Sequence, residues 1–465
     1  MKDLRTFIED LEEKSPGQLL RVKRPVSPHF EIPAVVRRLQ EERRFPAILF
    51  EQVEGRAHPV ITNVHACRDR VALALGVSDQ REMLSIWSER LEKPIPWASA
   101  ETGPVKEVIQ RGEGCDLRQL PIITHAEMDS GPFITGGVLV VRNPDTGIPN
   151  VGIYRHMLKG PRRLGCFINE GTHLFHLLKK AEAKGKDLEC VIFIGHHPLC
   201  VLASQVRGPL QDELATMGGV LGESLELVQA ETVDLPVPAR AEIAIEGRIL
   251  CGVREEEGPF GEYTFFYGEA RNSPVIEVTA ITRRRDAIYY DVYSPYIDHV
   301  NCAILAQDAY VFNKIRTSVP NVLDVYHPSE GVIHTAIIQI RKETEGQGKA
   351  AGLAALASVY LLKIAIIVDE DVNPRNLGEV LWAITTRTRP DRDFDFIKDV
   401  HCGTLDALGV SGRGWPHKNG LNTKVIIDAT KPIDVPLPAR CDPPEDLWRA
   451  LDLADYFPGW NSPSA

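Results

Sequence analysis

The chain lacks the marks of several large protein classes. Its longest apolar runs, such as residues 364–368, are strand-sized. They fall far short of the roughly 20 residues that cross a bilayer. Its nine cysteines are odd in number and no two form Cys-x-x-Cys. That argues against a disulfide framework or a structural zinc site, and the cysteines read as small buried hydrophobes. Positive charge is not in excess: 53 Lys and Arg stand against 64 Asp and Glu, a formal net charge of −11. A general nucleic-acid binder needs a basic surface, so only a local basic pocket is open to it. The opening Met1-Lys-Asp-Leu-Arg5 has no apolar stretch behind it, which does not read as a secretory signal. Repeats and low-complexity tracts are also missing. Together these absences predict a reduced, cytoplasmic protein of enzyme size, with neither nucleic acid nor membrane as partner.

What is there is 465 residues with 43% apolar and 25% charged side chains. At about 150 residues per domain this suggests two to three domains. The first hundred residues read as α/β, with helices over 32–44 and 80–91 and short strands at 47–50 and 60–62. The middle is strand-rich: 137–142 and 190–194 are buried-strand runs. Residues 241–253 alternate with a period of two around an expected turn near Gly247. Residues 276–282 and 287–292 suggest a hairpin about the charged Arg283-Arg-Arg-Asp286. One helix, 172–184, interrupts these strands, and the pattern predicts a barrel-like β domain. Beyond Asn301 helix and strand alternate, which implies a parallel or mixed sheet with covering helices. The expected division is 1–110, 111–302 and 303–465.

Four constellations could carry chemistry. Asn150-Val-Gly-Ile-Tyr-Arg155 follows a turn and opens a strand on which Ile153 and Arg155 would share a face. The plain alternative is a strand with a surface Arg. Asn169-Glu-Gly-Thr172-His173 opens a Leu-rich helix. Such a terminus suits an anion such as phosphate, although a lone helical His is more often structural. Asp212-Glu213 opens another helix, as dipole partners commonly do. Glu257-Gly-Pro-Phe-Gly-Glu262 has Pro and Gly spaced for a turn. A turn removes strand parity, so the two carboxylates could converge. With an Arg between them, one stays ionised while a desolvated one holds its proton. The alternative is an exposed acidic turn. Two other motifs fail. Gly346-Gln-Gly-Lys349-Ala350 lacks the first Gly and the Ser/Thr of a P-loop, and His196-His-Pro198 lacks further ligands at zincin spacing.

In this order, the segments resemble the UbiD family of reversible decarboxylases. Val368-Asp-Glu-Asp-Val-Asn-Pro, Leu381-Trp-Ala-Ile-Thr-Thr-Arg387 and Ser411-Gly-Arg-Gly-Trp extend the likeness over nearly the whole chain. The resemblance implies a split β-barrel cofactor domain flanked by α/β regions (α+β overall), with a C-terminal part that helps form a homo-oligomer, dimer or hexamer. It implies prenylated FMN, supplied by a flavin prenyltransferase, and a catalytic trio of Arg155, Glu257 and Glu262. It implies a divalent ion, Mn²⁺ or Mg²⁺, held by Asn150, His173, Glu213 and the cofactor phosphate. A nearby K⁺ would be held by backbone near Ala203-Ser204. Ile153, Tyr154 and Thr172 would line the cofactor, and Lys349 would contact its phosphate.

The implied activity is reversible, non-oxidative decarboxylation of an aromatic, heteroaromatic or α,β-unsaturated acid through a covalent cofactor adduct. The cofactor would act as electron sink, because a vinyl or aryl carbanion has no local stabilisation. Glu262 would protonate the carbon after CO₂ leaves, and Arg155, paired with Glu257, would orient the carboxylate. The polar segments Tyr293-Ser-Pro-Tyr-Ile-Asp-His299 and Gly412-Arg-Gly-Trp-Pro-His417 would meet a second polar group of the substrate. Three alternatives remain open: a carboxylase component of a multisubunit complex, a flavin redox protein, and a non-catalytic assembly subunit. A flavin reductase needs no acid pair. An assembly subunit would be expected to have lost one of Arg155, Glu257 and Glu262.

Overall fold

The computed structural model describes residues 1–208, 211–403, 405–408, 420–438 and 440–457. Three sheets organise them. Near the N-terminus, Leu19–Val22, Ala47–Phe50 and Val60–Thr62 lie side by side, and Tyr289–Tyr290 completes this sheet from far along the chain. The central sheet has nine strands, all paired antiparallel. Its spine is the long pair Ile243–Glu257 and Arg271–Arg283. Five strands near the C-terminus form a mixed sheet in the order Val322–Tyr326, Thr335–Ile340, Ile364–Asp369, Leu421–Asp428, Phe394–His401. The fold thus mixes helices with parallel and antiparallel sheets, as expected from the pattern.

Two local expectations are corrected. Residues 276–282 and 287–292 do not form a hairpin. After Arg283 the chain leaves the central sheet, and Tyr289 and Tyr290 pair parallel to Val60 and Ile61. The charged link is held elsewhere: Arg284 pairs with Asp3, and Asp286 with Arg5. Nor does the chain turn at Gly247, where the strand runs on through a register shift. A Cβ on Gly247 would stand 2.4 Å from the Glu277 carbonyl oxygen, so only glycine allows so close a crossing.

The N-terminal and central parts share one apolar core, while the C-terminal sheet has cores of its own. The helix Ile297–Arg316 joins them. Cys302, Leu305, Ala306 and Ala309 enter the first core, and Val300, Ile304, Val311 and Ile315 the C-terminal one. A helix apolar on two faces is buried between two layers. Its first turn carries His299 to the seam between them, beside the site described next.

Candidate active site

Two strands of the central sheet and a short hairpin beside it bring one arginine between two carboxylates. The strand Pro149–Ile153 ends just before Arg155, so the strand-parity argument for a face shared with Ile153 does not reach it. Glu257 ends the strand Ile243–Glu257, and Glu262 follows the short strand Phe260–Gly261. Arg155 donates from Nε and Nη2 to both oxygens of Glu257, at 2.8 and 3.0 Å, and from Nη1 to Glu262. The three side chains are 8%, 0% and 9% exposed, so this is a buried cluster rather than an acidic surface turn. Gly268 lets the backbone pass over Glu262, since a Cβ there would stand 2.9 Å from Oε1.

One guanidinium cannot fully serve two carboxylates. Glu257 takes the bidentate fork, the stronger geometry. Burial pushes the Glu262 carboxyl above its ordinary value; Arg155 pulls it down, but the Glu257 charge pushes it up again, and the net direction is up. Burial acts against the charge on Arg155, but the two carboxylates outweigh it and keep the guanidinium charged. The cluster therefore combines a fixed cation, a fixed anion and an acid able to hold a proton. Phe167 and Phe260 complete it, with the guanidinium carbon 4.5 and 4.9 Å from their ring centroids. Sequence reasoning assigns neither ring a role, although Phe260 lies inside the Glu257-Gly-Pro-Phe-Gly-Glu262 motif.

Asn150, His173 and Glu213 also meet. Glu213 opens the helix Glu213–Leu221 behind its cap Asp212, and His173 opens His173–Ala183 behind Thr172. The Asn150 amide donates to Glu213 at 2.9 Å, and the Val151 N–H donates to the same carboxylate oxygen. His173 Nδ1 lies 3.5 Å from both Glu213 and the Asn150 amide. The hydrogen bond to Glu213 raises the His173 pKa above its ordinary value. Among the described residues no three His, Cys, Asp or Glu side chains gather as a metal cage. The third donor here is an amide. One imidazole nitrogen with amide and carboxylate oxygens fits Mn²⁺ or Mg²⁺ better than a thiolate metal.

A cavity of about 190 Å³ lies against the Arg155 cluster. Ile153, Tyr154 and Thr172 line it, together with Arg155 and Glu262. Burial pushes the Tyr154 phenol up, so it stays neutral. Thr172 caps its helix by accepting from the Phe175 N–H at 3.3 Å. Tyr263 also lines the cavity, and its hydroxyl is buried without a partner among the described residues. Aromatic walls, few polar groups and a nearby helix start fit a flavin with its phosphate. The expectation for Lys349 concerns the cofactor phosphate, away from this cavity. The residue lies on the helix Gln347–Ser358 of the C-terminal part, half exposed, with Nζ 2.5 Å from Asp395, and it does not line the cavity. Ser204 ends a buried helix, its hydroxyl donating to the Val201 carbonyl. His299 lines the cavity, while residues 412–417 lie outside the described residues. Sequence reasoning did not single out Thr135 or Cys302, which also line it.

Comparison with known proteins agrees along the chain. Residues 8–89, 97–296 and 301–429 match the N-terminal, Rift-related and C-terminal domains of 3-octaprenyl-4-hydroxybenzoate carboxy-lyase, the UbiD domains. The anhydromevalonate phosphate decarboxylase of Methanothermobacter thermautotrophicus is 35% identical over 433 residues, 92% of this chain and 97% of that one. The UbiD-class enzyme HmfF of Pelotomaculum thermopropionicum, in complex with FMN, is 40% identical, with a TM-score of 0.90 over 98% of this chain and all of that one. An evolved dimeric form of it, in complex with prFMN, gives 38% and 0.86 over the same shares. The apo 3,4-dihydroxybenzoic acid decarboxylase of Klebsiella pneumoniae gives 29% and 0.89 over 98% of this chain and 99% of that one. The chain belongs to the UbiD family, and it is a carboxy-lyase of that class.

Proposed function

We propose that this enzyme uses prenylated FMN to remove CO₂ reversibly from an aromatic, heteroaromatic or α,β-unsaturated carboxylic acid. The observation that carries this reading is Arg155 held between Glu257 and Glu262 against an aromatic-walled cavity. When bound, prenylated FMN supplies the electron sink that loss of CO₂ from an sp² carbon requires. Arg155, fixed by Glu257, orients the substrate carboxylate through its charge. Glu262 holds a proton and delivers it to the carbon that CO₂ has left; in the reverse direction it takes that proton back. Ile153, Tyr154 and Thr172 bound the cofactor and exclude water. Asn150, His173 and Glu213 would hold Mn²⁺ or Mg²⁺, whose charge would neutralise the cofactor phosphate, and backbone near Ala203-Ser204 would hold K⁺.

The same reading extends to the cell and the assembly. A cytoplasmic flavin prenyltransferase supplies the cofactor. The chain acts as three parts, 1–110, 111–302 and 303–465, the last supporting a homo-oligomer. Exposed Leu381 and Phe396 give that part apolar surface to cover. Among the described residues no helix is long and apolar enough to cross a membrane.

The test is production with and without a flavin prenyltransferase, followed by the mass of the released ligand and a screen of acids for CO₂ release. Prenylated FMN with stoichiometric manganese, and turnover of an unsaturated acid, are expected. Unmodified flavin or none in a folded, metal-replete, prenyltransferase-supplied preparation would remove this reading.

A further inference from the structure

Glu262 sits on the least supported element of the site. Its hairpin, Phe260–Gly261 against Tyr267–Gly268, pairs two residues with two and joins no other strand among the described residues. So short a hairpin does not hold its shape alone in water. A proton donor, however, must be held within about 0.5 Å of its working place. The fastening comes from outside the cavity, in the loop 126–130. Asp129 Oδ1 accepts from the Gly261 N–H at 2.8 Å, one residue before the acid. Its Oδ2 accepts from the Ala126 N–H at 2.9 Å, while the Asp129 N–H donates to the Ala126 carbonyl at 3.0 Å. One carboxylate thus closes the loop and ties it to the hairpin. Two backbone bonds follow from the same loop: the Ser130 N–H donates to the Pro259 carbonyl and the Met128 N–H to the Tyr267 hydroxyl, each at 3.1 Å. The fit has no slack, since a Cβ on Gly261 would stand 3.3 Å from the Ala126 Cβ. Asp129 is half-buried, its neighbours 127, 128 and 130 are exposed, and it lines no part of the cavity.

We propose that Asp129 is a positioning residue for the decarboxylation: it meets neither substrate nor cofactor, and it acts by fixing the Gly261 backbone so that Glu262 stays in reach of the carbon it protonates. The inference rests on the decarboxylase reading and deepens it. Arg155 holds the far end of the Glu262 side chain, but a guanidinium contact cannot set where the backbone beneath it lies. The Asp129 bond to Gly261 sets that from the hairpin side. A displacement of about 1 Å at a reacting group can cost a hundredfold in rate while substrate binding is kept. The strut therefore matters to the proton step and not to affinity.

The test uses the holoenzyme made with a flavin prenyltransferase and manganese, and two substitutions that separate place from charge. Asp129→Asn loses the charge but keeps an oxygen for the Gly261 N–H. Asp129→Glu keeps the charge but adds a methylene, which pushes the carboxylate against the hairpin. CO₂ release is followed with whichever of 4-hydroxybenzoate, pyrrole-2-carboxylate and furan-2-carboxylate wild type turns over fastest, together with deuterium uptake from D₂O by its decarboxylated product. Asp129→Asn should stay within about threefold of wild type in both. Asp129→Glu should lose about tenfold to a hundredfold in kcat and in uptake, with KM, flavin and manganese within about twofold. A purely structural role would instead lower melting temperature, cofactor content and substrate affinity together. Asp129→Glu matching wild type, Asp129→Asn falling as far as Asp129→Glu, or KM carrying the loss would each overturn the inference. Crystal structures of wild type and Asp129→Glu read the placement without turnover: the Glu262 carboxylate should stand about 1 Å or more from its wild-type place, and an unmoved carboxylate would overturn the inference. A displaced Glu262 in an enzyme whose loaded wild type neither releases CO₂ nor exchanges keeps the strut and removes the decarboxylase reading; turnover with Glu262 unmoved does the reverse.

Discussion

The two clusters around the cavity use similar residues in opposite ways. Arg155, Glu257 and Glu262 are almost wholly buried and satisfy one another through short, directed bonds between aromatic rings. Asn150, His173 and Glu213 sit on a strand and two helix starts, with His173 a third exposed and its contacts stretched to 3.5 Å. The first keeps its charges in place without any ligand. The second has spare donor capacity that a cation would complete. A buried ion cluster that is one cation short holds a proton, whereas a half-open donor set holds an ion. This difference underlies the roles proposed for each.

The comparison can be broken most sharply at Glu262. Glu262→Gln keeps the shape and removes the acid. Turnover is expected to fall by about 10²–10⁴-fold, with flavin and manganese content unchanged by mass and metal analysis. Next is Glu213→Ala in the other cluster. It should lower bound manganese and flavin by about tenfold or more, read by equilibrium dialysis, while the far-UV spectrum stays native. If Glu262→Gln loses the ligands and Glu213→Ala keeps them, the assignment is reversed.

The pH profile sharpens it further. Glu262 must be protonated to act as acid, so kcat/KM should fall as pH rises through its raised pKa. The Glu257 charge is one cause of that rise. Glu257→Gln removes it and leaves Arg155 free to favour ionised Glu262. The alkaline limb should therefore move to lower pH, and a limb that stays or moves up would contradict the coupling. The smallest expected effect is Phe167→Leu. It removes one ring from beside Arg155, worth about 0.5–2 kcal/mol. Turnover should drop by roughly 2- to 30-fold without loss of manganese.

Much of the frame was legible in the sequence. Helical spacing located Glu31–Glu41, Met83–Leu91 and His173–Ala183, apolar runs located Ala47–Phe50, Val60–Thr62, Gly137–Arg142 and Leu188–Ile194, and the ordered motifs named the residues that meet at the two clusters. The failures have particular causes. Residues 276–282 and 287–292 alternate alike around a charged tetrad. Periodicity cannot say which sheet a strand joins, and Tyr289–Tyr290 joined the N-terminal one. Gly247 looks the same in a turn as in a bulge, because both need a missing Cβ. Phe167 carries no signal in sequence, since a ring stacked on a guanidinium reads like any core aromatic, and Phe260 lies in a motif whose Pro, Gly and carboxylates alone were given roles. His299 reaches the cavity held by Ser294, which itself bonds the carbonyl of Gly261, contacts that only the folded chain creates.

The most direct measurement is hydrogen exchange at the reacting carbon. The decarboxylated product is incubated in D₂O with cofactor-loaded wild type and with Glu262→Gln of equal flavin and manganese content. Wild type should place deuterium on the carbon that bore the carboxylate, and Glu262→Gln should not. Exchange by Glu262→Gln at the wild-type rate would contradict Glu262 as the acid.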